Sequence, residues 1–198
     1  GRRIGRPGGD GGADGDDRLG GGVGDDLLNG GLGRDTADYS YSTSAVQVSL
    51  VAGTAAGGDA QGDTLVSIEN LIGTDHADQL EGDGTANRLT GGRGDDTLIG
   101  GAGNDTLSGG RGADDLRGGD GVDTADYTGS LEGVLVNMTD AQAGGGDAEG
   151  DSFSSIEIVE GSFHNDTLIG DGADNILRGG LGADVIDGGA GFDVADYS

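Results

Sequence analysis

The chain has no cysteine, no tryptophan and a single proline among its 198 residues. The lack of cysteine excludes disulfides, thiol nucleophiles and zinc–thiolate sites. Aromatic residues make up only 4% of the chain, and no apolar run approaches the length of a membrane-spanning helix. No signal peptide opens the sequence, which begins at Gly1, so we expect a segment of a longer protein.

Basic residues are also scarce, with 10 Lys and Arg against 37 Asp and Glu and a formal net charge of −27. This acidic balance argues against nucleic acid and anionic membrane surfaces as partners, and it favours cations. By composition alone, the chain without bound cations belongs among disordered sequences. Cations that neutralise the carboxylates would reverse this, so we expect folding and metal binding to be one process.

Glycine is abundant, with 48 residues, but it shows no period of three, which excludes collagen. The dominant period is nine: from Gly91 the chain reads GGRGDDTLI, GGAGNDTLS, GGRGADDLR and GGDGVDTAD. Each nonapeptide has glycine at positions 1, 2 and 4, aspartate at position 6 and an apolar residue at position 8. Leucine occupies the eighth position of every repeat from Leu80 to Leu116. A flexible Gly/Asp-rich linker, which is the alternative interpretation, has no reason to keep this phase.

This spacing suits calcium. The glycines allow sharp turns with positive φ and let carbonyl oxygens point inward, and the last three residues are long enough for a short strand. Two turn–strand units make one flattened coil, so repeat n should lie beneath repeat n+2 at about 4.8 Å. An ion midway between two stacked turns would be about 2.4 Å from each, and calcium binds oxygen at roughly 2.3–2.6 Å.

The nonapeptide resembles the calcium-binding repeat of RTX, or hemolysin-type, proteins. The resemblance extends over nearly all of the chain from Gly12 and implies an all-β fold, a right-handed parallel β-roll or β-solenoid, with several Ca²⁺ ions in glycine-rich turns. The expected side-chain ligands occupy position 6, where asparagine should bind more weakly: Asp17, Asp26, Asp35, Asp78, Asn87, Asp96, Asp105, Asp114, Asp123, Asp166, Asn175, Asp184 and Asp193. The expected main-chain ligands are carbonyls of the glycine turns, such as those of Gly91, Gly94, Gly100, Gly103, Gly109 and Gly112.

Stacking two repeats apart predicts which side chains share an ion. The expected pairs are Asp17 with Asp35, Asp78 with Asp96, Asn87 with Asp105, Asp96 with Asp114, and Asp105 with Asp123.

We divide the chain into six segments of one continuous solenoid. Residues 1–11 form a degenerate end or linker, and residues 12–38, 73–126 and 161–198 are nonapeptide blocks. Residues 39–72 and 127–160 are two copies of an insert, which we expect to form wider coils, and a third copy starts near the end. Alternation at Val46, Val48 and Leu50 predicts a strand with one buried face, followed by a loop and a second apolar segment. Helix is not expected anywhere, since glycine and β-branched residues dominate.

The inserts keep the phase of the coils. Their copies start at Asp35, Asp123 and Asp193, and the two intervals differ by about 18 residues, two nonapeptides. A spacer that changes by whole coils keeps every later turn on the same side of the stack.

Other features have weaker functional interpretations. Spacings of the form G-x-G-x-x-G lack a Walker lysine and lie beside carboxylates, so a phosphate site is disfavoured. Arg93-Gly94-Asp95 spells an integrin-recognition tripeptide but falls within an expected calcium turn. The carboxylates of the inserts have three alternative interpretations, namely an acid/base pair, a structural role or a second type of calcium site. They are Asp59, Asp63, Glu69, Asp147, Asp151 and Glu157. The histidines and block-ending tyrosines are predicted to be turn and packing residues: His76, His164, Tyr39, Tyr127 and Tyr197.

No catalytic residue is predicted, and we expect the chain not to be an enzyme. The resemblance implies a segment of a larger secreted or cell-surface bacterial protein, exported by type I secretion, that folds on extracellular calcium and has a structural, adhesive or filament-forming role. The alternative is a calcium-dependent folding and secretion array attached to a secreted hydrolase or toxin. A free-standing enzyme is a third hypothesis, which lacks a convincing site. Calcium ions are the expected partners, and the open ends of a solenoid also allow head-to-tail self-assembly or surface partners.

Overall fold

The computed structural model describes residues 3–4, 10–11 and 14–197, so the predicted end segment 1–11 lies mostly outside the described residues. The predicted all-β, parallel β-roll architecture is confirmed. A ten-stranded parallel sheet contains β1 (Arg3–Ile4), β3 (Arg18–Gly20), β5 (Thr36–Asp38), β9 (Asn70–Ile72), β11 (Arg88–Arg93), β13 (Thr106–Arg111), β15 (Thr124–Asp126), β19 (Ile158–Glu160), β21 (Ile176–Arg178) and β23 (Val194–Asp196).

The intervening strands form two further sheets. The nine-stranded sheet contains β2 (Asp10–Gly11), β4 (Leu27–Asn29), β6 (Gln47–Ser49), β7 (Thr54–Ala56), β8 (Thr64–Val66), β10 (Gln79–Glu81), β12 (Thr97–Ala102), β14 (Asp115–Asp120) and β18 (Ser152–Ser154). The four-stranded sheet contains β16 (Leu135–Asn137), β17 (Gln142–Gly144), β20 (Thr167–Ile169) and β22 (Val185–Asp187).

Successive nonapeptides alternate between sheets, and each strand pairs with the strand two repeats later. Leu89 lies beside Leu107 in the ten-stranded sheet, and Leu98 lies beside Leu116 in the nine-stranded sheet. The predicted stacking of repeat n on repeat n+2 is therefore confirmed, with a coil of 18 residues.

The eighth-position side chains fill the space between the sheets. The leucines of the central repeats are at most 1% exposed: Leu80, Leu89, Leu98, Leu107 and Leu116. Burying one such side chain contributes about 1.5–3 kcal/mol. This line of leucines keeps successive coils in register, and the glycine-rich turns therefore lie directly above one another.

Each insert contains an antiparallel strand that the sequence did not predict. The strand expected at Val46, Val48 and Leu50 corresponds to β6, which covers only Gln47–Ser49 and pairs in parallel with β10. The segment after it, which was expected to be a loop, returns as β7 and pairs antiparallel with β6, and β17 does the same with β16. A single 3-10 turn follows in each copy, at Gly58–Ala60 and Gly146–Ala148, so the expectation of no helix holds only for α-helix in the described residues.

The ten-stranded sheet passes both inserts without interruption, because β5 pairs with β9 and β15 pairs with β19. On this basis we propose that the blocks 12–38, 73–126 and 161–198 and the inserts 39–72 and 127–160 form one continuous solenoid. Within the described residues, no helix has the length and apolar character needed to cross a membrane.

Candidate calcium-binding turns

The sixth-position side chains stack in two columns. Column A belongs to repeats whose strands lie in the ten-stranded sheet and comprises Asp17, Asp35, Asn87, Asp105, Asp123, Asn175 and Asp193. Column B belongs to the intervening repeats and comprises Asp26, Asp78, Asp96, Asp114, Asp166 and Asp184.

In seven stacked pairs within the columns, a side-chain oxygen of the residue later in the sequence accepts the backbone N–H of the residue one coil earlier. For example, Asp96 Oδ1 lies 2.7 Å from the Asp78 nitrogen, and Asp105 Oδ1 lies 2.8 Å from the Asn87 nitrogen. The structure thus brings together all of the pairs predicted to share ions, and two more: Asp17–Asp35, Asp78–Asp96, Asn87–Asp105, Asp96–Asp114, Asp105–Asp123, Asp166–Asp184 and Asn175–Asp193.

The second carboxylate oxygen separates the turns into two kinds. In six turns that begin with paired glycines, Oδ2 is buried and has no hydrogen-bond partner: those of Asp26, Asp35, Asp96, Asp105, Asp114 and Asp123. A buried carboxylate oxygen without a partner is costly, so it marks a place where a cation fits. Three further predicted ligands, Asp17, Asp184 and Asp193, are only half-buried.

Turns of the second kind have a side chain at position 2 in place of glycine, and in them the inward oxygen of the sixth residue accepts a backbone N–H of the same turn. Ser162 N–H donates to Asp166 Oδ2 at 2.7 Å, and Thr74 N–H donates to Asp78 Oδ2. The two asparagine turns follow the same pattern, with Asn87 Oδ1 accepting from Asp83 N–H and Asn175 Oδ1 from Asp171 N–H. The departures from the repeat at position 2 therefore change the chemistry of the turn.

The first glycine of each turn leaves open a space lined by oxygens. A Cβ placed on Gly91 would lie 2.2 Å from Asp96 Oδ2 and 2.7 Å from the carbonyl oxygen of Gly109 on the next coil. The same holds one repeat later, where a Cβ on Gly100 would lie 2.4 Å from Asp105 Oδ2 and 2.6 Å from the Gly118 carbonyl. The carbonyl oxygens of Gly109 and Gly118 therefore lie near the unpartnered Oδ2 atoms of Asp96 and Asp105. Those of Gly91 and Gly100 lie near Asp78 and Asn87, whose inward oxygens already accept an N–H. The main-chain ligands stay a prediction.

The fourth glycine has a different role. It adopts a positive φ of +113° at Gly94, +115° at Gly103 and +147° at Gly112. The carbonyl oxygen of Gly94 lies 1.9 Å from the ideal Cβ position of Gly112, so a side chain there would collide with the coil below. These glycines are needed for the close approach of stacked turns.

The donor set fits calcium. In the described part of the chain, no three His, Cys, Asp or Glu side chains cluster closely enough to hold a metal. Each interval between paired-glycine turns instead offers carboxylates from two coils and a main-chain carbonyl, all oxygen donors of the kind calcium prefers. A bound calcium ion would supply the positive charge that the unpartnered oxygens lack.

Comparison with known families agrees with this geometry. The sequence model of the RTX calcium-binding nonapeptide repeat (4 copies) matches residues 72–107, 90–125 and 160–195. Residues 72–125 and 160–195 belong to the RTX family of calcium-binding repeats. The RTX nonapeptide is a structural calcium-binding unit, not a catalytic one, and it typically occurs in secreted proteins. A search of curated proteins found no match to this chain.

Without metal, the RTX columns concentrate carboxylates in a poorly solvated place. Burial, reinforced by the neighbouring charges of Asp114 and Asp78, raises the pKa of Asp96 to about 8. Burial and the charge of Asp151 raise the pKa of Asp114 to about 7. Burial likewise raises the pKa of Asp105 and of Asp123. The metal-free RTX roll therefore holds protons that the unfolded chain releases.

This difference predicts how pH affects the calcium-free RTX chain. An aspartate in an unfolded chain has a pKa of about 3.9, whereas Asp96 in the roll has a pKa of about 8. Between these values the folded state binds more protons, so the free energy of unfolding falls as pH rises from about 4 to about 8. We expect the chain in excess chelator to show more β-structure by circular dichroism at about pH 5 than at about pH 8. Equal or greater β-structure at the higher pH would contradict the burial of these carboxylates.

Sequence reasoning missed that insert residues extend both RTX columns. Asp63 Oδ1 accepts the Asp26 N–H at 2.9 Å, and Glu69 Oε2 accepts the Asp35 N–H at 2.8 Å. The second insert repeats this arrangement, with Asp151 over Asp114 and Glu157 over Asp123. The recurrence of these acids in both copies was visible in the sequence, but their spacing does not follow the nonapeptide.

Two tyrosines close the insert side of column B. The Tyr39 hydroxyl donates to Asp63 Oδ2 at 3.1 Å, and the Tyr127 hydroxyl donates to Asp151 Oδ2 at 2.7 Å. Both tyrosines are buried, as their predicted packing role requires, whereas Tyr197 is 61% exposed. Unlike the six aspartates whose Oδ2 has no partner, Asp63 and Asp151 therefore have partners for both oxygens.

The fifth position, which looked variable, also contributes contacts between coils. The Asp95 side chain accepts the N–H of Ala113 at 3.0 Å, and Asn104 accepts that of Val122 at 3.1 Å. These groups lie on the exposed side of the turn. His76 and His164 are likewise exposed turn residues, as predicted.

Proposed function

We propose that the chain is a calcium-binding segment of a larger secreted or cell-surface protein, in which calcium drives folding of a rigid roll with a structural, adhesive or filament-forming role. The observation that supports this most directly is the set of buried Oδ2 atoms without partners. The most tightly bound calcium ions would lie at the paired-glycine turns, with these side-chain ligands: Asp26, Asp35, Asp96, Asp105, Asp114 and Asp123. The turns of Asp78, Asn87, Asp166 and Asn175 would bind more weakly, because their inward oxygens already accept an N–H.

A pair of charge-matched substitutions tests the proposed ligands. Asp105→Asn removes a carboxylate from column A, while Asp95→Asn removes the same charge from an exposed side chain and keeps its hydrogen-bond acceptor. Asparagine occurs naturally at both positions of other repeats, so both variants should fold. We expect Asp105→Asn to weaken calcium binding about tenfold at its site, or about 1.4 kcal/mol, and to raise the calcium midpoint of folding. Asp95→Asn should leave both quantities near those of the wild type.

Calorimetric calcium titration measures the difference. If calcium were attracted only by a diffuse negative field, the two variants would weaken binding equally. Indistinguishable titrations would therefore remove support for column A as the binding site.

The extracellular part of the proposal rests on calcium supply and on the typical occurrence of RTX repeats in secreted proteins. A roll whose buried carboxylates need calcium should remain unfolded at submicromolar calcium and fold at millimolar calcium. We expect antibodies raised against the folded chain to label intact producing cells or their culture medium, and to lose binding when calcium is chelated. Labelling confined to permeabilised cells would contradict the proposal, and a hydrolase in the same secreted polypeptide would favour the alternative of a folding and secretion array.

A further inference from the structure

Two fully buried aspartates of column A are followed, on the next coil, by an insert turn and not by a nonapeptide turn. Asp35 and Asp123 are both 0% exposed, and the Oδ2 atom of each has no hydrogen-bond partner. The residues above them are Ser67-Ile68-Glu69 in the first insert and Ser155-Ile156-Glu157 in the second. These two turns have no glycine, yet they meet the same kind of unpartnered carboxylate as a regular turn does.

The serine of each insert turn supplies a carbonyl where a regular turn supplies that of its first glycine. A Cβ placed on Gly30 would lie 2.0 Å from the Ser67 carbonyl oxygen and 2.5 Å from Asp35 Oδ2. These two distances bound the separation of the oxygens at about 4.5 Å, so one calcium ion can reach both at its usual 2.3–2.6 Å or so. In the second insert the corresponding distances from Gly118 are 1.9 Å to the Ser155 carbonyl and 2.5 Å to Asp123 Oδ2.

The backbone of the insert turn is bent to make this contact. Ser67 has φ of 51° and Ser155 has φ of 52°, in the left-handed region that non-glycine residues rarely adopt. Both serines are exposed, so side-chain packing does not account for the conformation. The conformation recurs at the matching position of both inserts.

The glutamate of each turn takes the place of the sixth-position aspartate. Glu69 Oε2 accepts the Asp35 N–H at 2.8 Å and Glu157 Oε2 accepts the Asp123 N–H at 2.9 Å. In a regular turn, Asp114 Oδ1 accepts the Asp96 N–H at 2.8 Å. The carboxylate follows the carbonyl by two residues in the insert and by five in the nonapeptide, and the longer glutamate side chain offsets part of this difference.

We propose that each Ser-Ile-Glu turn completes a calcium site with the aspartate below it, formed by Asp35, the Ser67 carbonyl and Glu69 in one insert and by Asp123, the Ser155 carbonyl and Glu157 in the other. The inference rests on the proposed calcium-dependent function. At the insert junctions of column B, by contrast, the three atoms nearest to a Cβ on Gly21 or Gly109 all belong to aspartate side chains. The two new sites keep calcium in column A at the coil where the nonapeptide pattern stops.

A glutamate substitution with a control in the same insert tests the proposal. Glu157→Gln removes the carboxylate charge and keeps an oxygen that can accept the Asp123 N–H. Glu132→Gln removes the same charge from an exposed side chain of the second insert. At a calcium concentration that just saturates the wild type, native mass spectrometry should show one ion fewer for Glu157→Gln and no loss for Glu132→Gln. The double variant Glu69→Gln/Glu157→Gln should lose two ions.

The outcomes separate the two proposals. A wild-type chain that binds no calcium would overturn the proposed function itself. A wild-type chain that binds calcium, with Glu157→Gln binding as many ions, would overturn only the insert sites.

A measurement without substitutions covers the case in which a variant does not fold. Crystals of the wild-type chain grown in the presence of calcium should show a peak in the anomalous difference map between Asp123 and the Ser155 carbonyl. Peaks at the paired-glycine turns, with none at Asp123 and none at Asp35, would overturn the inference.

Discussion

Removal of calcium at about pH 8 is expected to abolish most of the β-sheet signal of this chain in circular dichroism. Six carboxylate oxygens are buried without partners in the metal-free roll. Each uncompensated buried charge costs several kcal/mol, whereas a whole domain is stable by only about 5–15 kcal/mol. Protonation is the other way to remove the buried charge. At about pH 8 it is incomplete, because the pKa of Asp114 is about 7 and that of Asp96 is about 8.

Magnesium provides the control for this experiment. It requires nearly octahedral geometry at about 2.0–2.1 Å and dehydrates reluctantly, so it should fail to restore the signal at concentrations where calcium restores it. Equal recovery with both ions would mean that the charges are merely screened. A chain that stays fully folded in chelator would contradict the calcium dependence altogether.

The substitution Gly112→Ala is expected to destabilise the calcium-loaded roll by about 3 kcal/mol or more, from strain and collision together. Gly112 has φ of +147°, and the new Cβ would lie 1.9 Å from the Gly94 carbonyl oxygen on the coil below. The carbonyl belongs to the main chain of a stacked turn, so the coil itself would have to shift. Urea unfolding at saturating calcium, monitored by circular dichroism, measures the effect.

Gly84→Ala is the matched control, because it makes the same chemical change in another turn. No atom lies within 4 Å of an ideal Cβ on Gly84, and its φ is not in the positive range. The stability of this variant should equal that of the wild type or exceed it by a few tenths of a kcal/mol, as alanine restricts the unfolded chain. Comparable losses in the two variants would show that close stacking of the turns is not what the fourth glycine provides.

The regular coils could be predicted from the sequence because one short pattern encodes both their strands and their turns. Leucine at every ninth residue set the register that places Leu98 beside Leu116. The same register placed Asp105 over Asn87, with no need to know the rest of the chain. Wherever the period of nine holds, the position of a residue within its nonapeptide determines its place in the coil.

The inserts could not be predicted in the same way, since their contacts depend on residues distant in the sequence. Strand β7 has the sequence Thr54-Ala55-Ala56, without apolar alternation, and it forms because β6 offers an edge to pair with. Glu69 reaches column A over a spacing of 34 residues from Asp35, which no nonapeptide register contains. The difference between Asp96, with a free oxygen, and Asp78, without one, depends on a backbone N–H whose direction the sequence does not show.

The two-column arrangement also limits how the gene for such an array can change in length. Near-identical repeats promote unequal recombination, which gains or loses whole nonapeptides. Loss of 18 residues, the distance between stacked partners, removes one coil and leaves every later aspartate in its own column. Loss of a single nonapeptide would exchange columns A and B from that point on, so that Glu157 would meet a column B aspartate and Asp151, with its tyrosine, a column A aspartate. We therefore expect natural length variants of this chain to differ by whole coils, because only such changes keep each metal-binding turn in its own column.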